Sequence, residues 1–233
     1  MIESKNLYFK YDEEFVLKGI NIKIKEGSFR AIIGANGSGK TTLAKHFNSL
    51  LTPTKGNVLV DGIDTRKDEF DSRKKVGFVF QNFEDQLIHS IVEEDVAFGL
   101  ENLEWSNNII KKTVEQTLDK LKIKNLAKRN VNMLSLGQKQ MVALAGVLAM
   151  NPMYIVFDEP TTMLDAKNKN NIMGVIRDLN IKNKITTILV TNVLDDLKYA
   201  DRVIILKDGS VLYDGKKYKL NKRIMDKAGL NDK

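Results

Sequence analysis

The spacing of apolar and polar positions changes character several times along the chain. Ile20, Ile22 and Ile24 alternate with Asn21 and Lys23, the two-residue period of a strand with one buried face. Strands are predicted over residues 2–9 and 16–24, with Tyr11 between them. Unbroken apolar runs mark strands covered on both faces, at Phe29–Ile33, Tyr154–Phe157 and Ile185–Val190. Shorter strands are predicted at Asn57–Val60 and Val76–Phe80, and a hairpin over 202–214 about Asp208-Gly209. Between residues 82 and 134 strand signals vanish. Ile110, Val114, Leu118 and Leu121 recur there at helical spacing, with Ser106 as an N-cap. Further helices are predicted at Lys139–Met150, capped by Ser135, and near Ala166–Leu179. The order describes an α/β chain: a sheet core over 1–81 and 148–215, a helical lobe inserted over 82–147, and a weakly patterned basic tail over 216–233. No internal repeat is present.

Composition narrows the function classes. The chain has 233 residues, enough for one large domain with an inserted lobe. It has no cysteine, which excludes disulfides and thiolate metal sites. No apolar stretch approaches the ~20 residues that cross a bilayer, and the N-terminus lacks a signal-peptide pattern. Net charge is +7, but the lysines are spread along the chain with no aromatic-interleaved basic cluster. A solvated surface is expected, and no nucleic-acid partner.

The chemistry centres on Gly34–Thr42, Gly-Ala-Asn-Gly-Ser-Gly-Lys-Thr-Thr, set between a strand and a helix. This is the phosphate-binding P-loop pattern. Gly34, Asn36, Gly37, Ser38 and Gly39 offer backbone N–H groups to an anion, and the helix that follows points its positive end the same way. Lys40 reaches β- and γ-phosphates, Thr41 can ligate Mg²⁺, and Thr42 follows at the helix start.

Three further features fall at strand or helix ends. Asp158 and Glu159 terminate a buried strand, where two carboxylates are costly without cations or donors. With a P-loop nearby, Asp158 would hold Mg²⁺ through water and Glu159 would polarise the water that attacks the γ-phosphate. Gln81 ends another strand and would face the crevice at the carboxyl edge of a parallel sheet. Leu134-Ser-Leu-Gly-Gln138 precedes a helix, with Ser135 as cap and Gly137 freeing backbone N–H groups. His46 and His89 lack a second ligand at metal-binding spacing, so no metal beyond Mg²⁺ is expected.

The order of Tyr11, the P-loop, Gln81, Leu134–Gln138, Asp158-Glu159, Asp165 and Asn192 resembles the nucleotide-binding domain of ABC ATPases over roughly residues 2–214. That resemblance implies a P-loop NTPase core with an antiparallel β subdomain and an inserted α-helical subdomain, binding ATP and Mg²⁺. It implies that Tyr11 stacks on the base. It makes Gln81 the Q-loop residue that senses Mg²⁺, the attacking water and a membrane partner. Ser135, Gly137 and Gln138 belong to the signature, Asp165 ends the D-loop, and Asn192 stands at the H-loop. Two stretches, Val79–Gln86 continuing to Val92–Asn102, and Thr161–Asp165, resemble the ATP-binding subunits of energy-coupling factor importers of the cobalt and vitamin type.

The resemblance implies partners and a location. A second ABC ATPase, as homodimer or heterodimer, would close its signature over the nucleotide of the first. An integral membrane subunit would dock near Gln81 and the helical lobe, which places the chain in the cytoplasm on the inner face of the cell membrane. Two positions depart from the family pattern: Asn192 replaces the H-loop histidine, and Leu136 replaces a signature glycine. Asparagine donates a hydrogen bond but carries no imidazolium charge, and leucine crowds a backbone that approaches phosphate. Slow turnover is the expectation. The competing readings are a regulatory ABC subunit that barely hydrolyses ATP, and a soluble ABC ATPase unconnected with transport.

Overall fold

The computed structural model describes residues 1–230, so the last three residues of the basic tail fall outside it. Strands β1 (Ile2–Tyr11), β2 (Glu14–Ile24), β4 (Lys55–Val60) and β5 (Ile63–Asp64) form an antiparallel sheet in the order β2-β1-β4-β5. The second sheet runs β10-β9-β3-β8-β7-β6, built from β3 (Phe29–Gly34), β6 (Val76–Val79), β7 (Tyr154–Asp158), β8 (Thr186–Val190), β9 (Arg202–Lys207) and β10 (Ser210–Lys216). Its strands are parallel from β9 to β6, and β10 adds an antiparallel edge.

Strand periodicity sorts the second sheet's side chains into two cores. Phe29, Ala31 and Ile33 on β3 point to one side with Ile155 and Phe157 on β7, Leu189 on β8 and Val203 and Ile205 on β9. Ile32, Tyr154, Val156, Ile188, Val190, Ile204 and Leu206 point to the other, where they meet the antiparallel sheet and α1 (Lys40–Lys45). Both faces are therefore covered, which is why these strands read as continuous apolar runs. The half-exposed β2 alternates, as its sequence does.

The helical lobe contains α3 (Val92–Asn102), α4 (Asn107–Lys120) and the start of α5 (Leu136–Ala149). Ile110, Val114 and Leu118 lie buried on one stripe of α4, continued by Leu121 beyond its end. Ser106 is the N-cap of α4, though its side chain accepts no capping bond. Helix α5 packs against α3 on one side and β6 on the other, so it is apolar nearly all round. The lobe thus shares one continuous core with the parallel sheet.

Two helical boundaries differ from the sequence expectation. Helix α5 begins at Leu136, directly after its cap, and α6 (Ala166–Asn183) runs four residues beyond Leu179. The segment after Lys216 is better ordered than its weak pattern suggests. It forms α7 (Lys222–Ala228), capped by Asn221 and ended by Gly229 in the left-handed conformation, with Ala228 buried on the core. Helix α2 (Glu69–Lys75) carries no apolar stripe, and only Ser72 is buried. It is held by an Asp68 N-cap and by Glu69–Arg73 and Asp71–Lys75 pairs one turn apart.

Candidate functional site

Strands β3, β6, β7 and β8 all end at one edge of the parallel sheet, and the polar residues that follow them meet there. After β3 the chain turns at Gly34. A Cβ at that position would lie 2.4 Å from the Leu206 carbonyl oxygen and 2.6 Å from Ser38 Oγ, so only glycine lets the loop leave the sheet so tightly. Gly39 then caps α1 in the left-handed conformation. Lys40 is buried, and its ammonium donates to the carbonyls of Gly34 (2.9 Å) and Ala35 (3.1 Å) across the mouth of the loop. Burial lowers its pKa, opposed by the nearby carboxylates of Glu159 and Asp158.

The end of β7 supplies those carboxylates. Asp158 is buried, and its Oδ1 accepts from Thr41 Oγ1 at 2.9 Å. Burial pushes the Asp158 carboxyl upward, against the Thr41 hydrogen bond, which favours ionisation. Glu159 adopts φ of 46°, a left-handed value uncommon for a residue with a side chain, while its N–H still donates to Val190 O on β8. Its Oε2 accepts from Gln81 Nε2 at 3.2 Å and from Thr162 Oγ1 at 3.1 Å. The strained backbone aims the carboxylate, and two donors hold it.

These groups surround a cleft of about 640 Å³ lined by Asn36, Gly37, Gly39, Lys40, Thr41, Thr42, Gln81, Glu159 and Asn192, with Val16 and Thr162. A buried cation, a glycine loop leading into the start of α1, a carboxylate–hydroxyl pair and a second, held carboxylate suit one class of ligand. It is a polyphosphate with a hard divalent cation, and a water directed at the phosphate.

The signature residues lie elsewhere. Ser135 and Gln138 form a reciprocal cap on α5: Ser135 N donates to Gln138 Oε1 (3.0 Å) and Gln138 N to Ser135 Oγ (3.4 Å). Asp165 caps α6, accepting from the backbone (2.9 Å) and side chain (2.7 Å) of Asn168, bonds that lower its pKa. Asn168 stands so close to α5 that a Cβ on Gly137 would meet its Oδ1 at 2.8 Å. Ser135, Gly137 and Gln138 line a separate cavity of about 720 Å³ with Asn168, and it has no lining residue in common with the first. Leu136 is 48 % exposed at the tip of α5 and Met133 just before it is 83 % exposed.

Tyr11 is not among the residues that line the P-loop cleft. It ends β1, half exposed, with its ring edge-on to Phe9 at 4.8 Å. Val16, on β2, is the residue of the antiparallel sheet that lines it. Sequence reasoning missed Thr162, although a hydroxyl three residues after a carboxylate at a strand end is a local hydrogen-bonding signal. It also missed Gln140, buried on α5, whose Nε2 donates to Pro160 O at 2.6 Å beside Glu159. Nothing local marks that residue.

A family model described as ABC transporter matches residues 17–162. The energy-coupling factor transporter ATP-binding protein EcfA1 of Caldanaerobacter subterraneus subsp. tengcongensis is 45 % identical, across 99 % of this chain and 87 % of that protein. The cobalt import ATP-binding protein CbiO of Syntrophus aciditrophicus is 41 % identical, across 92 % of this chain and 78 % of its own length. Among solved structures, cbiO1 from Clostridium perfringens, part of the ABC transporter complex cbiONQ, superposes with a TM-score of 0.86 at 35 % identity, covering 99 % of this chain and 94 % of that one. The ATP-binding cassette MJ0796, a dimer in a post-hydrolysis state with ADP and phosphate, superposes with a TM-score of 0.81 at 35 % identity, covering 93 % of this chain and 98 % of the cassette.

Proposed function

The chain belongs to the ABC transporter family, as an ATP-binding and ATP-hydrolysing subunit of the energy-coupling factor importer kind, and on that premise we propose how its residues work. The P-loop amides and Lys40 hold the β- and γ-phosphates, Lys40 exchanging the Gly34 and Ala35 carbonyls for phosphate oxygens. Thr41 Oγ1 and Asp158 Oδ1, 2.9 Å apart, form an oxygen-only donor pair that fits Mg²⁺, with Gln81 as a third oxygen. Bound there, the ion supplies charge neutralisation across the β- and γ-phosphates.

Glu159 orients the attacking water and accepts its proton. The water oxygen bonds to the γ-phosphorus as the bond to the bridging oxygen breaks, leaving ADP and inorganic phosphate. Gln81 and Thr162 keep the Glu159 carboxylate aimed before the water arrives. Asn192 donates to the γ-phosphate. Tyr11 swings from its edge contact with Phe9 to cover the base. Ser135, Gly137 and Gln138, which line a different cavity from the P-loop, serve the nucleotide of a second ATPase subunit, and so does Asp165 at the cap of α6. A membrane-embedded partner docks near Gln81 and the lobe over residues 82–147, and holds the chain at the inner face of the membrane. Importer relatives are named for cobalt, and a micronutrient of that kind, a metal ion or a vitamin, is the proposed cargo.

The observation that carries the reading is the convergence of Lys40, Thr41–Asp158 and the Gln81–Glu159–Thr162 cluster on one cleft. The test is purification of the tagged chain from its native membrane, followed by ATPase assay. A membrane scaffold and a second ABC ATPase should co-purify, and Glu159→Gln should lower kcat by at least about a hundredfold, ~2.7 kcal/mol of barrier, while ATP-bound dimers accumulate. Full activity in Glu159→Gln would remove the assigned base.

A further inference from the structure

Behind the cleft lies a carboxylate that the hydrolytic scheme does not use. Asp196 sits in a 3₁₀ turn over Leu194–Tyr199 and is 1 % exposed. Its Oδ2 accepts from Thr161 Oγ1 at 2.7 Å and from Thr191 Oγ1 at 3.1 Å, and its Oδ1 faces Lys169 Nζ at 3.4 Å. A buried carboxyl group bonded from several elements is held by them, and it holds them in turn.

What those partners carry gives the cluster its meaning. Thr161 is two residues beyond Glu159, at the end of the strained turn that aims the catalytic carboxylate. Thr191 immediately precedes Asn192, its N–H donates to Ile32 O on the strand feeding the P-loop, and its hydroxyl also accepts from Val193 N at 3.0 Å. Lys169 is on the first turn of α6, just after the Asp165 cap. One buried carboxylate therefore ties together the loop after β7, the loop after β8 and the base of α6.

We propose that Asp196 is a positioning residue for ATP hydrolysis: through Thr161 and Thr191 it fixes the distance between Glu159 and Asn192 across the γ-phosphate. It touches neither nucleotide nor water, and it acts only by holding the two loops. The inference rests on the hydrolytic reading above and deepens it.

Both threonines donate to the same oxygen, which separates tethering from charge. In Asp196→Asn a carbonyl oxygen in the Oδ2 position keeps both hydroxyl bonds, while the pairing with Lys169 is lost. In Asp196→Ala both tethers go and two buried hydroxyls lose their acceptor. Steady-state ATPase of the purified complex should show kcat at least tenfold lower for Asp196→Ala, with KM for ATP changed by less than about threefold. Asp196→Asn should recover kcat to within about threefold of wild type. Thr161→Val and Thr191→Val combined should reproduce the loss, and adding them to Asp196→Ala should lower kcat little further. If Asp196→Ala fails to fold, the double threonine variant and Asp196→Asn carry the test unaided. Wild-type kcat in Asp196→Ala or in the double threonine variant overturns the proposal, as does an Asp196→Asn variant as slow as the double threonine variant. A fall in ATP affinity that tracks the loss of rate overturns it too, since a merely structural role would weaken binding as well. Absence of ATPase in the wild-type complex would instead strike at the hydrolytic reading itself.

Discussion

The P-loop end and the signature end of this chain are both helix N-termini, but they are built in opposite ways. Helix α1 starts inside the protein, with Lys40 buried, Phe47 beyond its end fully buried, and Asp158, Gln81 and Glu159 arranged about the cleft in front of it. Helix α5 starts in the open, with Leu136 and Met133 exposed beside a cap that satisfies only itself. The first half-site has its counter-charges within the chain. The second is a capped helix start that shares no lining residue with the P-loop cleft. The two are nonetheless mechanically joined, because Gln140 of α5 donates to Pro160 O next to Glu159, and Asn168 packs Gly137 against the Asp165 turn.

Substitutions can sharpen or break that contrast. The largest effect should come from Lys40→Ala, which removes the one buried ammonium at the loop mouth. Loss of kcat/KM for ATP by more than about a hundredfold is expected, ~2.7 kcal/mol of transition-state binding. Retained ATP binding by calorimetry would show that the first half-site does not depend on its own buried cation.

Next come the two departures, one at each half-site. Leu136→Gly opens the exposed tip of α5, and Asn192→His restores an imidazole at the cleft. Each should raise steady-state ATPase of the purified complex, with about tenfold corresponding to ~1.4 kcal/mol. In a homodimer the gains fall in both sites, whereas in a heterodimer each falls in a different site. If neither substitution changes the rate, the departures are silent and the contrast loses its functional meaning.

The smallest effect at neutral pH should come from His46, at the end of α1. It is fully buried, with Nδ1 against Thr42 O at 2.7 Å and Phe9 edge-on at 4.8 Å, and burial lowers its pKa to about 4. The unfolded chain binds a proton below about 6.5, while the folded chain resists it down to about 4. Stability is therefore unaffected above pH 6.5 and falls as pH drops from 6.5 towards 4, by up to roughly 3 kcal/mol. His46→Leu should flatten that slope in thermal melts recorded across the window. An unchanged slope would place the acid sensitivity of the P-loop half elsewhere.

Much of the P-loop half was legible in the residue order. Glycines spaced to Gly39-Lys40-Thr41, and paired acids ending an apolar run, have few uses other than phosphate chemistry, and both motifs are local. Helix α4 was legible by its stripe, while α2 was not, because its stability comes from a cap and exposed ion pairs. Tyr11 has its ring on Phe9, outside the cleft lining.

The sequence by itself determined which segments are doubly buried strands, where the glycine loop between β3 and α1 lies, and which two acids stand at its side. These follow from side-chain period, glycine conformation and the cost of burying charge, and each is written within a dozen consecutive residues. Only the tertiary structure decided that Gln81 holds Glu159, that Gln140 reaches Pro160, and that Asp196 binds two loops separated by thirty residues of chain. A hydrogen bond between distant segments depends on how strands order themselves in the sheet, and no local pattern encodes that order.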